Sequence, residues 1–345
     1  MKKPIQDIAA PLVAWYKQNE RSFPWREDPS PYRVWVSEIM LQQTRIEAAL
    51  PYFERFMQTL PTVRDLSEAP EDVLLKLWEG LGYYSRVRNL QKAARMVMEQ
   101  FGGELPSEYE DLLKLPGIGE YTAGAIASIA FGKRAAAVDG NVLRVMARLT
   151  DDPTDVMQPK QRKRMTALVQ SLVPDEAGAF NQGIMELGET VCLPNAQPKC
   201  YSCPLFDYCA VAGLERAREL PTRAQPKPRR IEEKTVFLIV SDGKVLLHRR
   251  ASGGLLGGMW EFPNAQGFDA PVPDEWGIPV VEQTPLADGK HVFSHVEWHM
   301  RGSLVKASHF TPASGFALVS KEELTAYALP TAFRTYHDIV KEDVL

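Results

Sequence analysis

A chain of 345 residues, 45% apolar, 24% charged and with a formal net charge of −4, has the composition of a folded protein of about two domains rather than a disordered or fibrous one. No run approaches the ~18 consecutive apolar residues of a membrane span, and Asp7, Lys17 and Glu20 interrupt any apolar stretch after Lys2 and Lys3, so the cytoplasm is the expected location. The mild acidity argues against coating nucleic acid by bulk charge, although the near-neutral part up to about residue 230 can still gather basic groups on one face.

From the N-terminus to about residue 191, helix follows helix. Apolar positions recur at three- and four-residue spacing in 8–16, 34–50, 73–77 and 90–101, then in 122–131, 142–149 and 180–187. Pro51, Pro61, Pro70, Pro106, Pro116 and Pro174 are read as starts and stops between these stretches. A cysteine loop follows. Residues 220–230, rich in proline and positive charge, read as a semi-rigid exposed linker. Beyond them the period changes: 235–240, 244–249 and 292–298 are rich in β-formers, with an Asp242-Gly243 hairpin signal between the first two. The expected layout is a mostly α domain over 1–219 with a cysteine loop at 192–209, a linker over 220–230, and an α+β domain over 231–345.

Three places along the chain can carry chemistry. In the stretch around 31–49, Glu38 has Val34, Trp35 and Leu41 at i−4, i−3 and i+3, so it lies on or beside the apolar stripe. Desolvation there raises a carboxyl's pKa and keeps it protonated, as a general acid requires; the alternative is a buried glutamate paired with Arg26 or Arg33. Leu115-Pro-Gly-Ile-Gly119 reads as a tight turn between two helices, with Ile118 anchored in the core. Gly117 and Gly119 would leave N–H groups at the next helix start free for a phosphate. Alone, this is also what a plain turn looks like. Twenty residues on, in Val138-Asp-Gly-Asn141, Asp139 reads first as a helix N-cap. The third place is Cys192, Cys200, Cys203 and Cys209, all within 18 residues. Random placement would produce this roughly once in 2,000 sequences, so they form one site. Zinc with four thiolates usually takes two close pairs, whereas this run has one, with seven, two and five intervening residues. Compact, unevenly spaced cysteines favour an iron–sulfur cluster over zinc or free thiols.

Together, the LPGIG turn, the VDGN aspartate and the four-cysteine loop resemble the helix–hairpin–helix DNA glycosylase superfamily. Within it, Phe23-Pro-Trp-Arg26, Ser37-Glu-Ile-Met-Leu-Gln-Gln-Thr44, Gly80-Leu-Gly-Tyr-Tyr-Ser-Arg86 and Phe180-Asn-Gln-Gly-Ile-Met-Glu-Leu-Gly188 resemble the adenine DNA glycosylase (MutY) branch. Gly257-Gly-Met-Trp-Glu-Phe-Pro263 and Phe293-Ser-His295 resemble that branch's Nudix-like C-terminal domain. The resemblance spans nearly the whole chain. One departure is the seven residues between Cys192 and Cys200, where the family usually has six.

The resemblance implies a nucleoid-associated, monomeric base excision repair enzyme that hydrolyses the N-glycosidic bond of adenine opposite 8-oxoguanine or guanine. Its partner is double-stranded DNA, with other repair proteins as further partners, and its cofactor is a 4Fe-4S cluster on Cys192, Cys200, Cys203 and Cys209. Glu38 would protonate N7 of a flipped-out adenine, Asp139 would stabilise or briefly capture the oxocarbenium ion, and Asn141 would orient Asp139. Tyr121 stands where strand-cleaving relatives carry a Schiff-base lysine, and a tyrosine cannot form an imine. Trp25, Arg26 and Glu186 would line the adenine pocket. Gln43 would act as the wedge, with Thr44 its neighbour at the orphaned base, Leu41 beside them at the DNA and Tyr83 intercalating beside that base. Arg86 would contact phosphate, as would the turn at Gly117 and Gly119. Phe293, Ser294 and His295 would read the oxidised base. No Arg-Glu-x-x-Glu-Glu follows Glu261, so magnesium has no carboxylate cage and the second domain is expected to read a base rather than hydrolyse a nucleotide. The competing functions are a glycosylase/lyase for oxidised pyrimidines, disfavoured by Tyr121, and a non-catalytic damage binder, disfavoured by Glu38 and Asp139.

Overall fold

The computed structural model describes residues 2–194, 196–224 and 228–344; residues 225–227 of the expected linker lie outside them. In chain order the helices are α1 (Ala9–Asn19), α2 (Pro24–Glu27), α3 (Pro31–Leu41), α4 (Ile46–Thr59), α5 (Val63–Glu68), α6 (Glu71–Leu77) and α7 (Ser85–Gln100). They continue as α8 (Tyr109–Leu112), α9 (Glu120–Ile129), α10 (Gly140–Leu149), α11 (Pro159–Leu172), α12 (Ala177–Thr190), α13 (Arg216–Glu219) and α14 (Arg334–Ile339). The strands are β1 (Arg230–Ser241), which begins at the last residue of the expected linker, β2 (Lys244–Arg249), β3 (Trp260–Glu261), β4 (Asn264–Gln266), β5 (Val280–Val292), β6 (Val296–Ala307) and β7 (Phe316–Val319). Among the described residues no helix is long and apolar enough to cross a membrane.

Two compact units result. The first joins residues 1–68 with 88–225, and the second joins 69–87 with 226–345. Segment 69–87, which chain order puts in the helical domain, thus groups with the sheet.

In the first unit α12 lies between α1 and α10. Phe180, Ile184 and Leu187 of α12, Leu12 and Val13 of α1, and Val142, Val145 and Met146 of α10 close one core. The cysteine loop rests on the same core through Cys192, Cys203, Tyr208 and Cys209. Full burial of each large aliphatic here is worth about 1.5–3 kcal/mol. Polar chemistry fixes the chain that enters α10. The fully buried Asn181 amide donates to Ser128 Oγ and to the Ala135 carbonyl, both at 2.8 Å, and accepts from Ala137 N at 3.1 Å. Gly124 lets α9 approach this segment, because a Cβ there would sit 2.0 Å from the Ala136 carbonyl oxygen. Residues 135–138 are thereby pinned on both sides just before Asp139.

Periodicity over 34–50 suggests one helix, but the chain breaks at residues 42–45 between α3 and α4, and Gln43 takes a left-handed φ of 61°. Pro51, read as a helix boundary, instead lies inside α4.

In the second unit the sheet runs β3-β2-β1-β6-β5, with β1 parallel to β6, β4 beside β1 and β7 beside β2. The unbroken apolar run in β1 reflects burial on both faces. Val236 and Leu238 join Trp298, Met300, Phe333 and Tyr336 on one side, while Phe237 and Ile239 meet Leu246 and Val305 on the other. Asp242 (φ 49°) and Gly243 (φ 70°) make the β1–β2 turn with both central residues left-handed, as the Asp-Gly signal predicts. The expected strand over 292–298 is corrected: it spans the end of β5, the turn 293–295 and the start of β6. Segment 69–87 is tied to this unit by Lys76 Nζ to the Tyr327 carbonyl (3.2 Å), the Leu329 N–H to Glu79 Oε1 (2.8 Å), and Arg249 to Asp72 (3.2 Å).

Candidate active site

Helices α2, α3, α9 and α12 and the start of α10 enclose a pocket of about 680 Å³ in the first unit, a volume typical of small-molecule sites. Glu38 reaches it from α3, a helix whose residues 34–40 are all buried. Burial pushes the Glu38 carboxyl up to about 7, because desolvation penalises the charged form. The Tyr121 hydroxyl, held over it by the first turn of α9, donates to Glu38 Oε2 at 2.6 Å. That bond opposes the rise, and the nearby Asp139 charge adds to it. Burial wins, so a proton is available near neutral pH. The Tyr121 hydroxyl thus bears directly on the Glu38 proton.

A test follows from the sign. A group that must donate a proton loses activity as pH rises through its pKa. Removing the hydrogen bond that lowers that pKa moves the loss upward. Tyr121→Phe is therefore expected to shift the alkaline limb of the single-turnover pH–rate profile to higher pH. An unmoved or lowered midpoint would mean that the hydroxyl does not act through Glu38.

Asp139 occupies the N-cap of α10, as its sequence context predicts. One carboxylate oxygen accepts the Val142 N–H at 2.8 Å and the other accepts Asn141 Nδ2 at 2.9 Å. Asn141 Oδ1 accepts from Arg144 Nη2 at 2.9 Å, and Arg144 Nε donates to the Cys192 carbonyl at 2.9 Å. A hydrogen-bonded chain thus joins Asp139 to the cysteine loop. It depends on Gly188, where an added Cβ would lie 2.7 Å from Asn141 Cβ. These bonds favour the ionised form of Asp139, but burial outweighs them and its pKa is raised above the ordinary carboxylate value.

The opposite wall is aromatic and ionic. Trp25 is 7% exposed and stacks on Phe23 with ring centroids 5.2 Å apart. Glu186 is 1% exposed and takes an ion pair from Arg26 at 2.8 Å and a second from Arg21. Arg21 also pairs with Glu189. The buried carboxylate thus holds the two guanidiniums at fixed places on the wall. Leu41 at the end of α3 and Gln43 and Thr44 in the break after it line the pocket, and Gln43 has its left-handed backbone there. A non-glycine residue there costs about 1–3 kcal/mol and persists only when its surroundings fix it. Arg21, Arg144, Gln182, Met185 and Glu189 also line the pocket and were not singled out from sequence. Two of them follow expected residues by one helical turn, Glu189 after Glu186 and Arg144 after Asn141. Counting along those faces would have found them.

The remaining expected residues lie elsewhere. Gly117 has φ 80°, and a Cβ there would meet Asn89 Cβ at 2.8 Å; Gly119 is the N-cap residue of α9, with no side-chain cap over that helix's first N–H groups. In the second unit Tyr83 is 50% exposed with a left-handed φ of 48°. Arg86, expected at a phosphate, is instead 8% exposed and donates to the Leu81 and Gly82 carbonyls at 3.0 and 3.1 Å. In the turn after β5, Phe293 packs on Trp298 with centroids 4.9 Å apart, while Ser294 and His295 are exposed and 3.2 Å from each other.

The four cysteines line one small cavity of about 30 Å³. Burial pushes the Cys203 thiol up to about 12 and Cys209 to about 11, so a metal must displace their protons to bind. Arg148, 2% exposed, donates to Cys192 Sγ at 3.2 Å, and its Nη2 has no hydrogen-bond partner. A buried cation beside four thiols calls for negative charge. Among the described residues, no three His, Cys, Asp or Glu side chains are placed to hold a single metal ion. All four thiols nonetheless line this one cavity beside the buried Arg148.

Residues 36–174 match the family described as HhH-GPD superfamily base excision DNA repair protein, and residues 235–338 match the NUDIX domain. The chain is 34% identical to an adenine DNA glycosylase of Rattus norvegicus, over 98% of this chain and 79% of that protein. It is 33% identical to one of Buchnera aphidicola subsp. Schizaphis graminum, over 87% of each. Among solved structures, a trapped endonuclease III–DNA covalent intermediate is similar at a TM-score of 0.51 and 25% identity, over 60% of this chain and 94% of that one.

Proposed function

The chain belongs to the adenine DNA glycosylase family and is a base excision repair enzyme that hydrolyses N-glycosidic bonds, and from this we propose that it removes adenine paired with 8-oxoguanine, or less well with guanine, without cleaving the strand. The observation that carries the proposal is a carboxyl pushed up to about 7, Glu38, in the same pocket as a hydrogen-bonded second carboxylate, Asp139.

The adenine must leave the duplex to reach these groups. Gln43, Thr44 and Leu41 would fill the gap it leaves and Tyr83 would insert beside the partner base. In the pocket, Trp25 offers a ring wall, and Arg26, fixed by Glu186, offers donors to the base edge. Glu38 gives its proton to adenine N7, which makes the base a leaving group, and the carbon–nitrogen bond breaks with its electrons going to the base. Asp139 stabilises the positive charge left on the sugar or captures it briefly, and water completes the hydrolysis. Tyr121 offers no amine for an imine, so the reaction ends at the abasic site.

For Cys192, Cys200, Cys203 and Cys209 we propose a 4Fe-4S cluster that staples the loop onto the α10–α12 core. When bound, it supplies anionic charge beside Arg148. The reaction transfers no net electrons, so this role is structural. No Arg-Glu-x-x-Glu-Glu follows Glu261 in the Nudix-type unit, and we propose that this unit reads 8-oxoguanine through Phe293, Ser294 and His295.

Single-turnover adenine release from duplexes with A opposite 8-oxoguanine, G or T tests the substrate. The first is expected to be fastest and the last negligible. Replacing Phe293, Ser294 and His295 together by alanine is expected to bring the 8-oxoguanine rate down toward that for G, whereas single replacements, each losing only about 0.5–1.5 kcal/mol, do less. Equal rates on all three duplexes would remove the proposal.

A further inference from the structure

Arg86, expected at a phosphate, is found inside, where two of its side-chain hydrogen bonds go to the turn that presents Tyr83. This turn, residues 78–84, is strained. Gly80 and Gly82 have φ of 102° and 67°, and Tyr83 follows at 48° without a glycine's freedom. Left-handed backbone at a non-glycine residue is retained only where neighbours enforce it.

Arg86 is placed to enforce it. Its Nη2 donates to the carbonyls of Leu81 and Gly82, the two residues before Tyr83, at 3.0 and 3.1 Å. Its backbone N–H donates to the Tyr83 carbonyl at 2.8 Å. Its guanidinium lies 5.3 Å from the Trp78 ring centroid and 5.5 Å from that of Tyr83. Trp78 Nε1 donates to the same Gly82 carbonyl at 3.1 Å. One planar cation thus holds the backbone entering Tyr83 and packs against its ring, while Tyr83 as a whole is half exposed. Lysine has a point charge and no plane, so it could hold one carbonyl but not the stack. Burial lowers the Arg86 pKa to about 10, which leaves it charged at neutral pH.

We propose that Arg86 is a positioning residue for Tyr83, holding that ring outward in the one conformation from which it can insert into a duplex. This rests on Tyr83 being the inserted aromatic, as put forward above, and the two ideas can fail separately.

The test uses the full-length protein with Arg86→Lys, Arg86→Met, Tyr83→Ala and the double variant Arg86→Met/Tyr83→Ala. Three quantities are read: single-turnover adenine release opposite 8-oxoguanine, the salt dependence of duplex binding, and fluorescence of a 2-aminopurine next to 8-oxoguanine, which brightens when the stack is opened. Each Arg86 variant is expected to slow release tenfold or more and to lose most of the fluorescence rise at saturating protein. The double variant should be no slower than Tyr83→Ala, because Arg86 acts only through that ring. The slope of log Kd against log salt should stay as in the parent. A slope reduced by about one with additive losses would make Arg86 a phosphate contact and overturn the proposal. Wild-type behaviour in both Arg86 variants would overturn it too. If Tyr83→Ala itself keeps the parent's fluorescence rise and rate, the insertion of Tyr83 is wrong, and the role of Arg86 falls with it. Should Arg86→Met not fold, judged by its thermal unfolding midpoint, the Lys variant carries the same comparison.

Discussion

Glu38→Gln is expected to lower single-turnover adenine release by about 10²–10⁴-fold, the range contributed by a positioned general acid, while duplex binding persists. The amide is nearly isosteric, so α3 and the pocket wall keep their shape. Its carbonyl oxygen can still accept the Tyr121 hydroxyl that now lies 2.6 Å from Glu38 Oε2. What disappears is the proton, since an amide has none to give near neutral pH. Stability gives a control with the opposite sign. Because burial raises the Glu38 pKa from 4.5 to about 7, stability falls as pH rises between those values, and above the upper one the whole cost of the buried carboxylate weighs against the native state. The Gln variant is thus expected to unfold at a temperature no lower than the parent at pH 8, which separates a chemical loss from a folding one. Near-normal turnover would make Glu38 a structural carboxylate.

Asp139→Asn is expected to cost about 10²–10³-fold, the size of effect seen when one preorganised electrostatic stabiliser is removed. Asn is as good an N-cap as Asp, so the bond to the Val142 N–H and the start of α10 should survive. The charge facing the developing oxocarbenium ion does not. Single-turnover rates again provide the measurement. A loss of tenfold or less would return Asp139 to the role its sequence context first suggests, a cap.

Much of this site was legible because its residues sit in elements with strong local signals. The burial of Glu38 follows from an apolar stripe and the cap position of Asp139 from its local sequence, both set by neighbours within four residues, whereas the roles expected of them come from the family resemblance. The Asp242-Gly243 turn was legible for the same reason. What stayed hidden depends on partners distant in sequence. The break at 42–45 interrupts a periodic pattern that continues on both sides of it, so only the tertiary packing of α3 and α4 reveals it. Arg86 has the same local look whether it faces phosphate or carbonyls, and its burial against Trp78 is set by the turn. β5 carries a mostly exposed, mixed sequence, with no alternation strong enough to announce a strand. α11 begins with the charged run Lys160 to Arg164, which masks the apolar face formed by Met165, Val169 and Leu172. Segment 69–87 groups with the sheet through Lys76, Glu79 and Asp72, whose partners are more than 170 residues away. No short window can show such a pairing.

The central claim is that two carboxylates, with no amine, carry out base removal and stop. It is tested most directly by incubating the protein with an end-labelled duplex holding a single A opposite 8-oxoguanine, then dividing the sample and treating half with hot alkali. Free adenine with strand breaks only in the alkali-treated half is the predicted result. Breaks at equal yield without alkali would contradict it, since they would require a lyase step for which Tyr121 provides no nucleophile.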